Sequence, residues 1–127
     1  MAEMTDEEAR RLADCVRNCS LQMHSFLKWG HLEKVYENGL AHRLEKIGIS
    51  VERQFRIPVK DEDGTILGDY IADLLVERGM ILEIKACESL TSIHTAQVLG
   101  YLRATGIRHG MLVNFGSPVV QFKKLVL

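Results

Sequence analysis

The chain has 127 residues, 46% of them hydrophobic, and a formal net charge of −1 from 16 Lys and Arg against 17 Asp and Glu. That size suits one compact domain over residues 1–127, able to bury about two-thirds of the unfolded surface without a staple. The balanced charge excludes the broad cationic excess with which proteins grip long nucleic acids non-specifically, so any such affinity must come from a local patch, metal ions or a partner. The charged residues Glu3, Asp6, Glu7, Glu8 and Arg10 argue against a secretory signal. No apolar run approaches the roughly 18–20 residues of a membrane span, and a cytoplasmic protein is expected. Cys15, Cys19 and Cys87 are too few and too unevenly spaced for a disulfide framework. Cys15 and Cys19 share a helix face, either as metal ligands or, more simply, as small buried side chains.

Thr5-Asp6-Glu7-Glu8 has the form of a capping box and opens a helix of about 22 residues. Leu12, Val16, Cys19, Met23, Phe26 and Leu27 recur at helical spacing as its buried stripe. Gly30 interrupts the pattern. A second helix is predicted over 32–47, with Tyr36, Leu40, Leu44 and Ile47 inward and Gly48 beyond its end. The period then becomes alternating. Ile49, Val51, Phe55, Ile57 and Val59 alternate with Ser50, Glu52, Gln54 and Arg56, with Arg53 an exception on the apolar side.

Asp61-Glu62-Asp63-Gly64 has hairpin-turn chemistry. The return strand is predicted over 65–77 with a bulge at Gly68. A turn at Arg78-Gly79 leads to a strongly apolar, central strand over 80–87. A third helix starts at Thr91 or Ser92, both good caps, and ends at Gly106. Strands over 110–115 and 119–127 follow, separated by Gly116-Ser117-Pro118. The order α, α, β, β, β, α, β, β predicts an α/β (α+β) fold, a mixed β-sheet flanked by helices.

Two acids lie where acids are costly: Asp73 among Ile71, Ala72, Leu74 and Leu75, and Glu83 among Ile81, Leu82 and Ile84. Glu83 and Lys85 share one strand face, and the tight turn before their strand brings Asp73 beside Glu83. Two carboxylates and a carbonyl oxygen suit Mg²⁺, which can polarise a phosphodiester and activate water, with Lys85 orienting that water or stabilising phosphate charge. The plainer alternative is a solvated Glu-x-Lys ion pair. On the third helix His94, Gln97 and Tyr101 line one face, where Gln97 and Tyr101 suit phosphate or base contacts, or simply packing and solvent. Glu33, in a first helical turn, is accounted for by the helix dipole alone.

Gly30-x-x-Glu33-x-x-Tyr36 resembles the signature of the GxxExxY protein family. The resemblance continues through His24, Tyr70 to Val76, Leu82 to Ala86, Ala96 to Leu102 and Leu112 to Gly116, and covers roughly residues 15–127. That family is similar to the PD-(D/E)XK nuclease superfamily, which implies a restriction-endonuclease-like core. By this resemblance the metal ligands are Asp73 and Glu83 with Glu33 assisting. Asp73, Glu83, Lys85, Gln97 and Tyr101 form the catalytic set, since Gln97-x-x-x-Tyr101 resembles the Q-x-x-x-Y motif of RecB-type nucleases. Ala72 stands where the superfamily motif has Pro, and Lys28-Trp29-Gly30-His31 stands where the family usually has Gly-Pro-Gly.

The expected function is a Mg²⁺- or Mn²⁺-dependent nuclease acting on DNA rather than RNA, with Arg53, Arg56 and Tyr36 at the substrate and Lys60 beside them. Solvation of the strand face accounts for the basic residues equally well. The alternative is a non-catalytic nuclease-fold module that binds a partner protein or forms a homo-oligomer, which the near-neutral charge favours. A phosphoesterase for small substrates is a third possibility, because fold does not dictate function.

Overall fold

The computed structural model describes residues 3–127. Helices α1 (Asp6–Leu27) and α2 (Glu33–Lys46) precede strands β1 (Val51–Lys60), β2 (Ile66–Val76) and β3 (Met80–Lys85); α3 (Ser92–Thr105) leads on to β4 (His109–Asn114) and β5 (Gln121–Val126). The five strands form one sheet in the order β1-β2-β3-β4-β5. Every neighbouring pair is antiparallel except β3 and β4, which run parallel with α3 as their crossover. The expected mixed sheet flanked by helices is therefore present, as is the bulge: Val59 pairs with Gly68 but Lys60 with Ile66, leaving Leu67 as the extra residue. Among the described residues no helix is long and apolar enough to cross a membrane.

Thr5 caps α1 as its sequence predicts, its hydroxyl accepting the Glu8 N–H at 3.1 Å. Val16 and Met23 of α1 and Tyr36, Leu40 and Leu44 of α2 cover one face of the sheet, against Leu74, Leu82, Ile84 and Val113. Val98, Tyr101 and Leu102 of α3 cover the other, against Leu75, Ile81 and Leu112. Two residues expected inside stand outside: Phe26 is 79% exposed and Ile47 59%. Both occupy helix ends where the chain is leaving the helical path, Phe26 two residues before Lys28 (φ 63) and Ile47 as the cap of α2 (φ −95, ψ 13).

The turn from α1 to α2 uses two left-handed residues, Lys28 (φ 63) and Gly30 (φ 108), a conformation glycine adopts without penalty. Tyr36 closes it. Its hydroxyl donates to the Lys28 carbonyl at 2.6 Å and accepts from the His31 N–H at 3.2 Å, while its ring stacks on Phe115 with centroids 4.9 Å apart and 7° between planes.

A second lock follows β3. The buried Asn114 amide accepts from the Cys87 and Gly116 N–H groups, each at 3.0 Å, and donates to the Cys87 carbonyl at 3.0 Å and to Gln121 Oε1 at 2.9 Å. All four hydrogen-bonding positions of the amide are filled, which ties the chain just past Lys85 to β4 and β5. Gly116 lies so close that a Cβ there would collide with the backbone of Ala86 and Cys87; at Gly39 the obstacle is the flexible end of Met23. Gly116→Ala is expected to destabilise the protein by about 1–3 kcal/mol or more through overpacking against backbone. Gly39→Ala is expected to lose less, since Met23 can rotate away and the helix gains up to about 1 kcal/mol in propensity. Urea unfolding of the two variants checks this, and equal losses would contradict it.

Candidate metal-binding active site at the open fork of the sheet

Strands β2 and β3 pair only at Leu74–Leu82, Leu75–Ile81 and Val76–Met80. Continuing that register sets Asp73 opposite Glu83, but there the ladder ends and the strands part. Opening the ladder orphans backbone N–H groups, which need other acceptors. The two carboxylates supply them. Asp73 Oδ2 accepts the Ile84 N–H at 2.8 Å, and Glu83 Oε1 accepts the Asp73 N–H at 3.0 Å. Each acid thus anchors the other's strand through one oxygen and keeps its second oxygen off the backbone.

The buried face of the β1–β2 ribbon reverses at the same level. Val51, Leu74 and Val76 pack in the α1/α2 layer, whereas Phe55, Ile57 and Ala72 pack in the α3 layer. Strict alternation would have kept Val51 with Phe55 and Ala72 with Leu74. The reversal falls between the Arg53–Leu74 and Phe55–Ala72 pairs, where Gln54 and Asp73 face each other unpaired. Gln54 takes φ 53 to achieve it, a conformation rare for a residue with a side chain and common at functional sites. This accounts for Arg53 breaking the alternation: it points to the α2 side and ion-pairs with Glu45 at 2.7 Å.

Burial and crowding set the electrostatics. Burial first, and the Glu83 charge second, push the Asp73 carboxyl up to about 8; the Glu37 charge adds to the push. Burial also raises Glu83, opposed by its hydrogen bond from the Asp73 N–H and by Lys85, while the Glu33 charge raises it further. Four acids from α2, β2 and β3 therefore act on one point, which favours a cation there. Among the described residues no three His, Cys, Asp or Glu side chains stand close enough to make a metal cluster by themselves. The all-oxygen pair Asp73–Glu83 fits a hard divalent ion that keeps several of its waters.

The other side of the fork carries a polar chain. Lys85 Nζ lies 3.6 Å from Glu83 Oε2 with its side chain 15% exposed, and donates to Gln97 Oε1 at 2.9 Å. Gln97 Nε2 in turn donates to the Tyr101 hydroxyl at 2.8 Å. The lysine donor fixes which end of the Gln97 amide is oxygen. Burial, then the charges of Glu83 and Asp73, push the Tyr101 hydroxyl up to about 12. It stays protonated at neutral pH and, already accepting from Gln97, keeps its own O–H to donate.

The structure thus gathers Asp73, Glu83, Lys85, Gln97 and Tyr101 at one place. Glu33 is exposed in the first turn of α2 and reaches the site through its charge. Arg53 and Arg56 stand apart: Arg53 is engaged by Glu45, and Arg56 is 74% exposed and 3.9 Å from Asp69. Tyr36 corrects the expectation of a substrate contact, because it is wholly buried with its hydroxyl committed to the turn. Two residues missed in the sequence belong here. Glu37, only 4% exposed, accepts from Lys34 at 2.7 Å and from Gln54 Nε2 at 2.8 Å. Its signal was present: Glu37 lies three residues before Leu40 and seven before Leu44, an acid on an apolar stripe. Gln54 had none, since its backbone conformation is set by the ribbon.

Among solved structures, the crystal structure of SSO0001 superposes with a TM-score of 0.56 over 88% of this chain at 21% identity, a likeness that speaks for the fold. The chain spans 62% of the length of that solved chain. No curated protein matches it. Residues 10–125 match the PD-(D/E)XK nuclease superfamily, a span that reaches from α1 into β5, and the chain belongs to that superfamily.

Proposed function

We propose that the chain is a divalent-metal-dependent nuclease that hydrolyses phosphodiester bonds, DNA in preference to RNA, as a single catalytic domain of the GxxExxY branch, working in the cytoplasm. The observation that carries this reading is the pair of half-anchored carboxylates, Asp73 and Glu83, at the opened fork with Lys85 alongside. Mg²⁺ or Mn²⁺ held by their second oxygens would polarise the phosphodiester and lower the pKa of a bound water. Glu33 assists from α2, and Glu37, itself held by Gln54, adds negative potential beside Asp73 that favours a bound cation. The Lys85 ammonium is presented to the reacting phosphate by Glu83 and Gln97, where it orients the attacking water or offsets developing charge. Tyr101 donates its remaining proton to a phosphate oxygen.

Asp73→Ala and Glu83→Ala are expected to abolish Mg²⁺- or Mn²⁺-dependent cleavage, a loss of roughly a hundredfold or more, with Lys85→Ala comparable. The test incubates purified protein and variants with linear, circular and single-stranded DNA and with RNA. Cleavage unchanged in both acid variants sinks the site; no cleavage of any substrate together with no metal binding by calorimetry points instead to a non-catalytic module.

A second prediction does not depend on turnover. Asp73→Asn keeps an acceptor for the Ile84 N–H and removes the cost, at neutral pH, of protonating or burying a carboxyl whose pKa is raised to about 8, so the metal-free variant is expected to melt above the metal-free wild type. Mg²⁺ is expected to raise the melting temperature of the wild type by several degrees and that of the variant little. Equal Mg²⁺ responses in differential scanning fluorimetry would count against metal binding by Asp73.

A further inference from the structure

A groove of about 520 Å³ opens between β1 and the C-terminal end of α3. Phe55 and Leu75 lie among its apolar lining, and Arg56, Lys60, Arg78 and Arg103 bring four cationic side chains to it, while no carboxylate lines it. Of the four, Arg78 is ion-paired with Glu52, and Arg56 lies at the long distance of 3.9 Å from Asp69. Among the described residues Lys60 and Arg103 pair with no acid. A chain of net charge −1 thus concentrates unopposed positive charge at one concave place. The positive stretch ends at Lys60, where Asp61, Glu62 and Asp63 follow in the turn.

The groove adjoins the acid pair. Phe55 of its lining pairs with Ala72, the residue before Asp73, and Leu75 lies two residues beyond Asp73, about 6.6 Å along β2 at the usual rise. The wall residues Ala104 and Thr105 lie three and four positions after Tyr101, so they continue the helix face that carries it. The half-buried Phe55 ring offers a surface on which an unstacked base can rest. Cations along a groove with an aromatic floor are what single-stranded nucleic acids bind.

We propose that this groove binds the single strand leading away from the reacting phosphate, with Lys60 and Arg103 on the backbone and Phe55 beneath a base. Its orientation rests on the nuclease reading of Asp73 and Glu83; its existence as a binding site does not. The test is fluorescence anisotropy with an end-labelled oligothymidylate of about ten nucleotides, in EDTA so that no cleavage occurs. Failure of the cleavage reading therefore leaves this result intact.

Lys60→Ala/Arg103→Ala is expected to weaken binding about tenfold or more and to flatten the dependence of log affinity on log salt by about 1.4, the share of two single-strand phosphate contacts. Both side chains are exposed, and circular dichroism verifies that the variant is folded. Lys123→Ala/Lys124→Ala on β5 is expected to bind as the wild type does. No binding by the wild type, unchanged affinity in the groove variant, or an equal loss in the β5 variant overturns the proposal. A duplex of the same length binding as tightly, and weakened by the same groove variant, overturns the assignment to a single strand.

Discussion

The structure depends on the place where β2 and β3 let go of each other. Past the Leu74–Leu82 pair the ladder would continue with Asp73 and Glu83, and instead these side chains take over the backbone's hydrogen bonds. A carboxylate that accepts a backbone N–H is stabilised as an anion, which partly offsets the penalty of burial. The offset is incomplete, as the upward push on both acids indicates. A sheet that simply continued would have buried two opposed carboxylates with no partner. Opening it costs ladder bonds but yields two strands held apart at a defined distance, with two oxygens left over.

The rest of the fold holds that fork open. On one side, Gln54 adopts its strained backbone and passes a hydrogen bond to Glu37, which bears on Asp73. On the other, Asn114 clamps the chain just beyond Lys85, so the lysine leaves a fixed strand end toward Gln97. Tyr36 does the same service one layer away, closing the α1–α2 turn just before the helix that carries Glu33 and Glu37. Strain at Gln54 persists because the β1–β2 pairing resumes on both sides of it and the two apolar layers each claim one half of the ribbon. Stability of the core is thereby converted into position at the site, a common trade in enzymes.

Much of this was legible in the chain. The switch from helical to alternating period at residue 49 located the sheet, the tight turn at Arg78-Gly79 made Asp73 and Glu83 neighbours, and the i, i+4 spacing put Gln97 and Tyr101 on one face. Local periodicity carries such information because backbone geometry repeats every 3.6 or 2 residues regardless of what lies opposite. The failures have the same origin. Phe26 and Ile47 satisfied the helical period yet stand outside, because a period cannot tell where the facing layer ends. Tyr36 was placed both on the buried stripe of the second helix and at the substrate, and its burial against the stacked Phe115 ring decides for the first.

What the sequence by itself determined is which residues are acids in apolar surroundings, and on which strands and helices they lie; hydrophobic patterning and turn chemistry are local and sufficient for that. What only the tertiary structure decided is that the ladder opens at Asp73, that the ribbon changes its buried face there, and that Glu37 and Gln54 join the site while Tyr36 does not. Those outcomes turn on competition between two helix layers for the same ribbon and on hydrogen bonds lost and replaced between distant segments. Neither quantity exists until the layers are assembled.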